Sequence, residues 1–368
     1  MKRRIFIDCH VFDHGFQGTR TYIQGLYLEL IKDKNTNFYF AAYDLENLKK
    51  IFGQAENVFY LKLNSNNKFY RLLIDIPILI AKNEIDFAHF QYIVPPIKKC
   101  KYIVSTHDVL FLEFPEYFPK FNSLKNELLF KQGAKKADII LTGSQYSKTK
   151  IEHYLNVKDV KVTVYGVEPV FFEGYDKNLI QEEVHKKYGF RKYLIYISRH
   201  ETRKNHYRLL KSFIDLKLYN KYSLVLVGDV TFRDKELDTL LTELDESIKT
   251  KIVLINKASF IDMIELLRGA TLAVYPSIAE GFGLPPLESV AAQIPTLCSK
   301  TTSMAEFDFF DEDFINPLDI DELKSKISAK LNNIDTERQM KLSKLVAEKY
   351  NWEIAAKQFN QILDKFHN

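Results

Sequence analysis

The chain has 368 residues, 46% hydrophobic and 27% charged, with a formal net charge of +4. That length exceeds one ordinary core and predicts two domains of ordinary globular composition. The rest excludes a disulfide scaffold and a membrane-spanning chain. Cys9, Cys100 and Cys298 form no close pair and no metal spacing, and the most apolar long stretch, 72–81, is interrupted by Asp75 and Pro77. Met1-Lys2-Arg3-Arg4 runs directly into Ile5-Phe6-Ile7-Asp8, too short and too soon charged for a signal peptide, so a reducing, cytoplasmic setting is expected. The charge is uneven. Residues 1–168 carry 24 Lys and Arg against 18 Asp and Glu, a surplus of six, and the remainder carries 28 against 30. A basic first half suits an anionic membrane surface or a lipid-linked phosphate as well as it suits plain solvent, and nothing points to a nucleic acid.

Along the chain, short β-branched and aromatic runs alternate with helical patterns, which predicts parallel sheets covered by helices on both faces. Strands are expected over 5–9, 38–43, 58–63, 87–92, 102–106, 139–142 and 162–165, and helices over 22–30, 69–81, 124–136 and 145–154. Tyr165-Gly166-Val167-Glu168-Pro169 breaks the rhythm and predicts a hinge. A second series follows, with strands over 194–198, 224–227, 252–255, 272–275 and 296–299. Trp352 opens a last helix over 353–366. The expected domains are 1–168 and 169–352.

The densest chemistry lies at 276–288, Pro-Ser-Ile-Ala-Glu-Gly-Phe-Gly-Leu-Pro-Pro-Leu-Glu. A strand leads into Gly281-Phe282-Gly283, and Pro285 and Pro286 suit the first turn of a helix. Amides and a positive dipole end then face outward, and the usual guest is phosphate. Glu280 and Glu288 bracket the turn, and a carboxylate such as Glu288 can accept two hydrogen bonds from a vicinal diol. Ser198-Arg199-His200-Glu201-Thr202-Arg203-Lys204-Asn205-His206 follows the first strand of the second series. There Asn205 reads as a helix N-cap, and Arg199 and Lys204 are placed to neutralise a diphosphate. In the first half, Thr106-His107-Asp108 closes a strand, and Gly15-Phe16-Gln17-Gly18-Thr19-Arg20-Thr21-Tyr22 is a glycine loop before a helix.

Two glutamates with seven residues between them, among these Gly-Phe-Gly-Leu-Pro, resemble the nucleotide-sugar site of retaining family 4 glycosyltransferases (glycosyl transferases group 1). That family implies an α/β GT-B fold, two doubly wound Rossmann-like domains facing a central cleft, with the last helix packing back onto the first. Its Gly-Arg…Lys-Asn pattern carries over to Arg199 and Lys204, with Ser198 where many relatives have glycine. His107 to Pro119 resembles bacterial mannosyltransferases of surface polysaccharides, in which the matching histidine contacts the donor sugar. Gly18 and Thr19 match the loop that covers the diphosphate. Glu306 falls where relatives have Ser-Leu-Pro-Glu and would brace the site, with Ala305 replacing the proline. The resemblance implies a nucleotide-diphosphate sugar donor, with GDP-mannose the best candidate, bound by Gly18, Thr19, Ser198, Arg199, Lys204, Glu280, Gly281, Phe282, Gly283, Leu284 and Glu288. Catalysis falls to His107, Glu280, Arg199 and Lys204, with Glu280 on sugar hydroxyls and Glu288 on the ribose. The acceptor is a saccharide or lipid-linked saccharide of O-antigen or capsule synthesis. Asp311-Glu312-Asp313 and Asp319-Ile320-Asp321 match Asp-x-Asp formally but lie well past the nucleotide motif, so no metal is expected and no cofactor beyond the donor. The competing class is a nucleotide-sugar-binding partner of another transferase, without turnover; an epimerase on a similar scaffold lacks the Glu280–Glu288 string.

Overall fold

The computed structural model describes residues 2–13, 18–231 and 234–366. They divide into two compact units, Met1–Gly166 with Tyr350–Asn368, and Val167–Lys349. The first holds β1 (Arg3–Asp8), β2 (Thr36–Ala42), β3 (Val58–Lys62), β4 (Phe87–Gln91), β5 (Lys101–Ser105), β6 (Ile139–Thr142) and β7 (Lys161–Val162). The second holds β8 (Tyr193–Ile197), β9 (Ser223–Val227), β10 (Ile252–Ile255), β11 (Leu272–Tyr275), β12 (Thr296–Ser299) and β13 (Phe314–Ile315). The helices that matter below are α1 (Gly18–Leu30), α2 (Lys120–Lys136), α3 (His206–Asp215), α4 (Leu284–Ala291), α5 (Ile320–Asn332) and α6 (Trp352–Asp364).

All strand pairs are parallel, in the orders β3-β2-β1-β4-β5-β6-β7 and β10-β9-β8-β11-β12-β13. Both sheets are therefore doubly wound. Strand order reverses between β1 and β4 in one and between β8 and β11 in the other, and sheets of this kind bind ligands beyond the carboxyl ends of the strands at that reversal. The near-continuous apolar strands follow from this topology, because helices cover both faces. β8, β9 and β11 are buried along their whole length.

Eight expected strands shift by one to three residues at an end, and β6, β10, β11 and β12 lie where expected. The two-residue β13 and the helix Leu45–Phe52 went unread: β13 is too short for a period, and the helix is carried by its Asp44 cap and a strong apolar face. The run 68–82 is helical through Pro77. It widens into a π turn over Arg71–Asp75, just ahead of the proline that has no N–H to return.

The last helix belongs to the first unit. Asn351 caps α6 by accepting from the Ile354 amide at 2.9 Å. α6 lies on α1, with Tyr27 and Phe359 edge to face at 6.2 Å and Tyr22 and Trp352 at 6.3 Å. Gly25 makes the approach possible: a Cβ there would sit 2.0 Å from Trp352 Cε2. Trp352 is buried and cannot yield. We therefore expect Gly25→Ala to destabilise the protein by about 1–3 kcal/mol through overpacking, despite a gain of about 1 kcal/mol in helix propensity. Denaturant unfolding measures it; an unchanged or raised midpoint would refute the packing argument.

Candidate functional site

In the second unit the site is built from the two loops that leave β8 and β11, neighbours at the strand-order reversal. The loops are sewn together by their backbones and side chains. The Ile278 amide donates to the Arg203 carbonyl at 2.8 Å. Tyr196 Oη donates to the Lys204 carbonyl at 2.8 Å and lies 2.8 Å from Ser277 Oγ. Asn205 sits in left-handed backbone, φ 61°, a conformation that asparagine tolerates better than most residues. Its amide donates to the Pro276 and Pro317 carbonyls at 3.0 and 2.7 Å. Asn205 thus takes the expected N-cap position, but in left-handed backbone its side chain makes no capping bond and instead ties its loop to those after β11 and β13.

Between the loops lies a buried ion cluster. Arg203 donates to the Ala279 carbonyl at 2.6 Å, pairs with Glu201 at 2.8 Å and reaches Glu280 at 3.2 Å. Lys204 pairs with the other Glu280 oxygen. Burial by itself would raise the Glu280 carboxyl, but the charges of Lys204 and then Arg203 outweigh it and hold the group down at about 2. Burial also pulls the Lys204 amine below its ordinary value, against the pull of Glu280. Arg199, expected beside Lys204, is on the rim, 61% exposed and joined to the cluster only through Glu201 at 3.2 Å. The arginine inside is Arg203, and its partner is Glu201; neither was singled out in the sequence. The signal was there in Glu201-Thr202-Arg203-Lys204, a turn too short to send every charge to solvent.

The glycine turn follows. Gly283 is left-handed, φ 101°, and a Cβ on it would lie 2.8 Å from Met304 Cγ. It precedes α4, whose first turn contains Pro285 and Pro286. The turn is strapped from behind: Thr302 Oγ1 accepts from the Glu280 amide at 3.0 Å, and Ser303 Oγ donates to the Glu280 and Phe282 carbonyls at 2.8 and 3.0 Å. Those two residues brace the turn, while Glu306, expected in that role, is exposed. Glu288 is half-buried on α4, and its carboxylate makes no hydrogen bond among the described residues. Burial, with the charge of Glu168 second, pushes its carboxyl up to about 8. Asp319 caps α5, accepting from the Asp321 and Glu322 amides, and Asp313 is paired with Lys330 and Arg338. These acids are occupied by a cap and by cations, and no cluster of potential metal ligands occurs among the described residues.

The first unit has a second constellation, uncharged. His107, just past β5, is spanned on both ring nitrogens, Nδ1 by Tyr165 Oη at 2.5 Å and Nε2 by Gln91 Oε1 at 2.9 Å. Burial lowers the imidazole to about 4, so it is neutral at pH 7. Its carbonyl accepts from Thr142 Oγ1 at 3.3 Å. Asp108 accepts from the Leu110 amide at 3.1 Å, a local cap. His89 is core, held between Tyr27 Oη and Ser105 Oγ at 2.7 Å each. Gly15, Phe16 and Gln17 lie outside the described residues, as does His14. Gly18 and Thr19 are the first helical residues of α1 and not a loop.

Residues 178–349 match the model of the family described as glycosyl transferases group 1. The chain is 24% identical over 344 residues to an O-antigen chain mannosyltransferase B of Escherichia coli, covering 85% of this chain and 89% of that one. It is 26% identical over 234 residues to the O-antigen chain mannosyltransferase RfbU of Salmonella typhimurium, 63% of this chain and 60% of that one. Among solved structures, sucrose-phosphate synthase from Thermosynechococcus elongatus superposes with a TM-score of 0.76 at 15% identity, covering 100% and 99% of the two chains. Anabaena HepE in complex with UDP-glucose gives 0.72 at 15%, covering 98% and 99%. WaaG, a glycosyltransferase involved in lipopolysaccharide biosynthesis, gives 0.69 at 14%, covering 98% and 99%. The fold is the expected α/β GT-B fold, two doubly wound units.

The two arginines make a sharp contrast. Arg203→Leu strands Glu201 and Glu280 without their shared buried cation and is expected to cost about 3–5 kcal/mol. Arg199→Ala removes an exposed pair and should cost under about 1 kcal/mol. Equal losses in urea unfolding would contradict the placement.

Proposed function

We propose that this chain, whose residues 178–349 form a glycosyl transferases group 1 domain, is a retaining, metal-independent glycosyltransferase. It moves a hexose, mannose from GDP-mannose, to a saccharide or lipid-linked saccharide during synthesis of a bacterial surface polysaccharide such as O-antigen or capsule. It works in the cytoplasm at the inner face of the cell membrane. The mannose reading rests on the relatives named as O-antigen mannosyltransferases. The observation that carries the reaction type is the Arg203–Glu280–Lys204 cluster beside the first turn of α4, at the strand reversal.

That cluster suits a leaving diphosphate. Lys204 and the Gly281–Leu284 amides would meet charge as it grows on the departing phosphate, with Arg199 at the rim and Arg203 holding the array in place. Glu280, held near 2, is ionised at neutral pH and too weak a base to deprotonate an acceptor. It is suited to accept hydrogen bonds from sugar hydroxyls. The proton of the incoming hydroxyl then goes to the leaving phosphate oxygen on the same face of the sugar. Bond breaking leads, and the C–O bond to the acceptor forms where the C–O bond to phosphate breaks, which preserves configuration. His107, neutral and clamped by Tyr165 and Gln91, shapes the sugar pocket without carrying charge. Thermal shift over a panel of nucleotide sugars, followed by donor hydrolysis without acceptor, tests the reading. Stabilisation by GDP-mannose and slow release of mannose are expected. Binding without any turnover, with or without acceptor, would leave a nucleotide-sugar-binding protein instead.

Two outcomes follow from the electrostatics. Glu288 must be ionised to accept both hydroxyls of a ribose diol, yet its carboxyl is raised to about 8. Its neutral form favours the folded state at low pH, so its contribution to stability is lost as pH rises from the usual 4.5 through about 8. Nucleoside diphosphate binding should run the other way, strengthening up to about tenfold per pH unit until about 8 and levelling above it. Calorimetry of wild type and Glu288→Gln checks this; a wild-type affinity independent of pH would remove Glu288 from the ribose. Transfer should also persist in excess EDTA, whereas Lys204→Ala should lower kcat by about 10²–10³. Loss of transfer in EDTA with recovery on adding Mn²⁺ would overturn the metal-independent mechanism.

A further inference from the structure

The second unit has a further recess, at the opposite end of α4 from the glycine turn. Its volume is about 280 Å³. It is lined from residues 173–177, which lead into the helix Lys177–Tyr188, from the turn 291–295 that ends α4, and from 334–339 at the start of the helix Thr336–Lys349. α4 has eight residues and so spans about 12 Å. The turn 291–295 enters the amino end of β12, whereas the ion cluster stands past the carboxyl ends of β8 and β11. The recess is therefore no part of the site described above.

Its lining is rich in donors. Gln339 is 2% exposed, and its side-chain Nε2 is buried with no hydrogen-bond partner among the described residues. An unpaired buried donor is costly, and native proteins keep few of them. Lys177 is half-buried; burial pulls its amine below the ordinary value, and no carboxylate offsets the effect. Thr336 adds a hydroxyl. The acceptors close by are taken. Tyr175 Oη donates to the Ala292 carbonyl at 2.6 Å, and Ser343 Oγ donates to the Ala291 carbonyl at 2.8 Å. Glu173, an acid of the lining, is exposed and lies 3.8 Å from Arg268, which itself sits over the Tyr175 ring at 4.9 Å. The capping carboxylates accept from their own helices, Asp176 from the Asn178 and Leu179 amides and Asp335 from the Arg338 amide. Donors and a positive charge remain for a guest, with Pro295 and Ile334 as apolar wall. The volume falls just under the roughly 300–1,000 Å³ of sites for drug-sized ligands, so the guest is small.

We propose that this recess binds a small organic anion, a phosphate or carboxylate head on a short body. Lys177 and the Gln339 amide hold the head, and Pro295 and Ile334 line the space for the body. The proposal goes beyond the transferase reading and does not rest on it, since the recess shares no residue with the nucleotide site.

The test uses the full chain with glycerol 3-phosphate and glycerate as probes, one for each kind of head, and glycerol as the uncharged control. Calorimetry measures binding, and amide hydrogen exchange locates it. Binding of one or both anions and not of glycerol is expected, with exchange slowed over 173–179 and 334–341. The anion that binds tells phosphate from carboxylate. Lys177→Met and Gln339→Met should each weaken binding by about tenfold or more. Gln339→Met should also raise the urea midpoint, because it removes an unpaired buried donor at similar volume. Circular dichroism reports whether each variant is folded. Binding of neither anion, equal binding of glycerol, binding undiminished in both variants, or a lowered midpoint for folded Gln339→Met would each overturn the proposal. So would exchange slowed only over 276–288, which would give the anion to the diphosphate site. Failure of wild type to bind a nucleoside diphosphate would instead count against the transferase reading and leave this one standing.

Discussion

The second unit depends on one constraint: Glu280 is a buried carboxylate that must stay ionised. Two cations do that, and both come from the loop after β8, while Glu280 leaves β11. A buried charge is tolerable only when paired and hydrogen-bonded, so the two loops cannot separate without stranding it. The Arg203 bond to the Ala279 carbonyl, the Ile278 amide bond to the Arg203 carbonyl and the Asn205 amide bonds are the remaining stitches of that seam. Such a seam suits the proposed transfer reaction. Groups meant to stabilise charge growing on a leaving group must already be aligned before the reaction begins.

The first unit solves a similar problem without charge. Tyr22, Ser105, His89 and Tyr27 form one chain of hydrogen bonds and Tyr165, His107 and Gln91 another, all among neutral groups, and burial keeps both imidazoles unprotonated at neutral pH. Gln91 fixes which nitrogen of His107 carries the proton: with Oε1 accepting from Nε2, Nδ1 must accept from Tyr165. The first unit thus holds a neutral, fixed cluster and the second a charged, fixed one. The α6 helix adds to the first of these, since Trp352 and Phe359 pack against Tyr22 and His89.

Local periodicity and punctuation made much of this legible. The strand–glycine–helix string at 276–288 states its own geometry, because glycine before two prolines can be little else than a helix start. The parallel sheets were legible from apolar runs too continuous for a sheet with one wet face. Asp319 announced itself as a cap. What was misjudged depends on side-chain direction. Arg199 and Arg203 are equally basic letters in one loop, and spacing alone favours neither.

Sequence by itself determined the two doubly wound sheets, the glycine turn with its flanking glutamates, and the basic bias of the first half, because each is set by neighbours along the chain. Only the tertiary structure decided which arginine enters the cluster, that Thr302 and Ser303 brace the turn, and that the Asn205 side chain ties loops together from the N-cap position. Each of those choices is made between residues far apart in sequence. The energy that settles them, pairing of a buried charge or satisfaction of a buried carbonyl, exists only once the β8 and β11 loops are side by side.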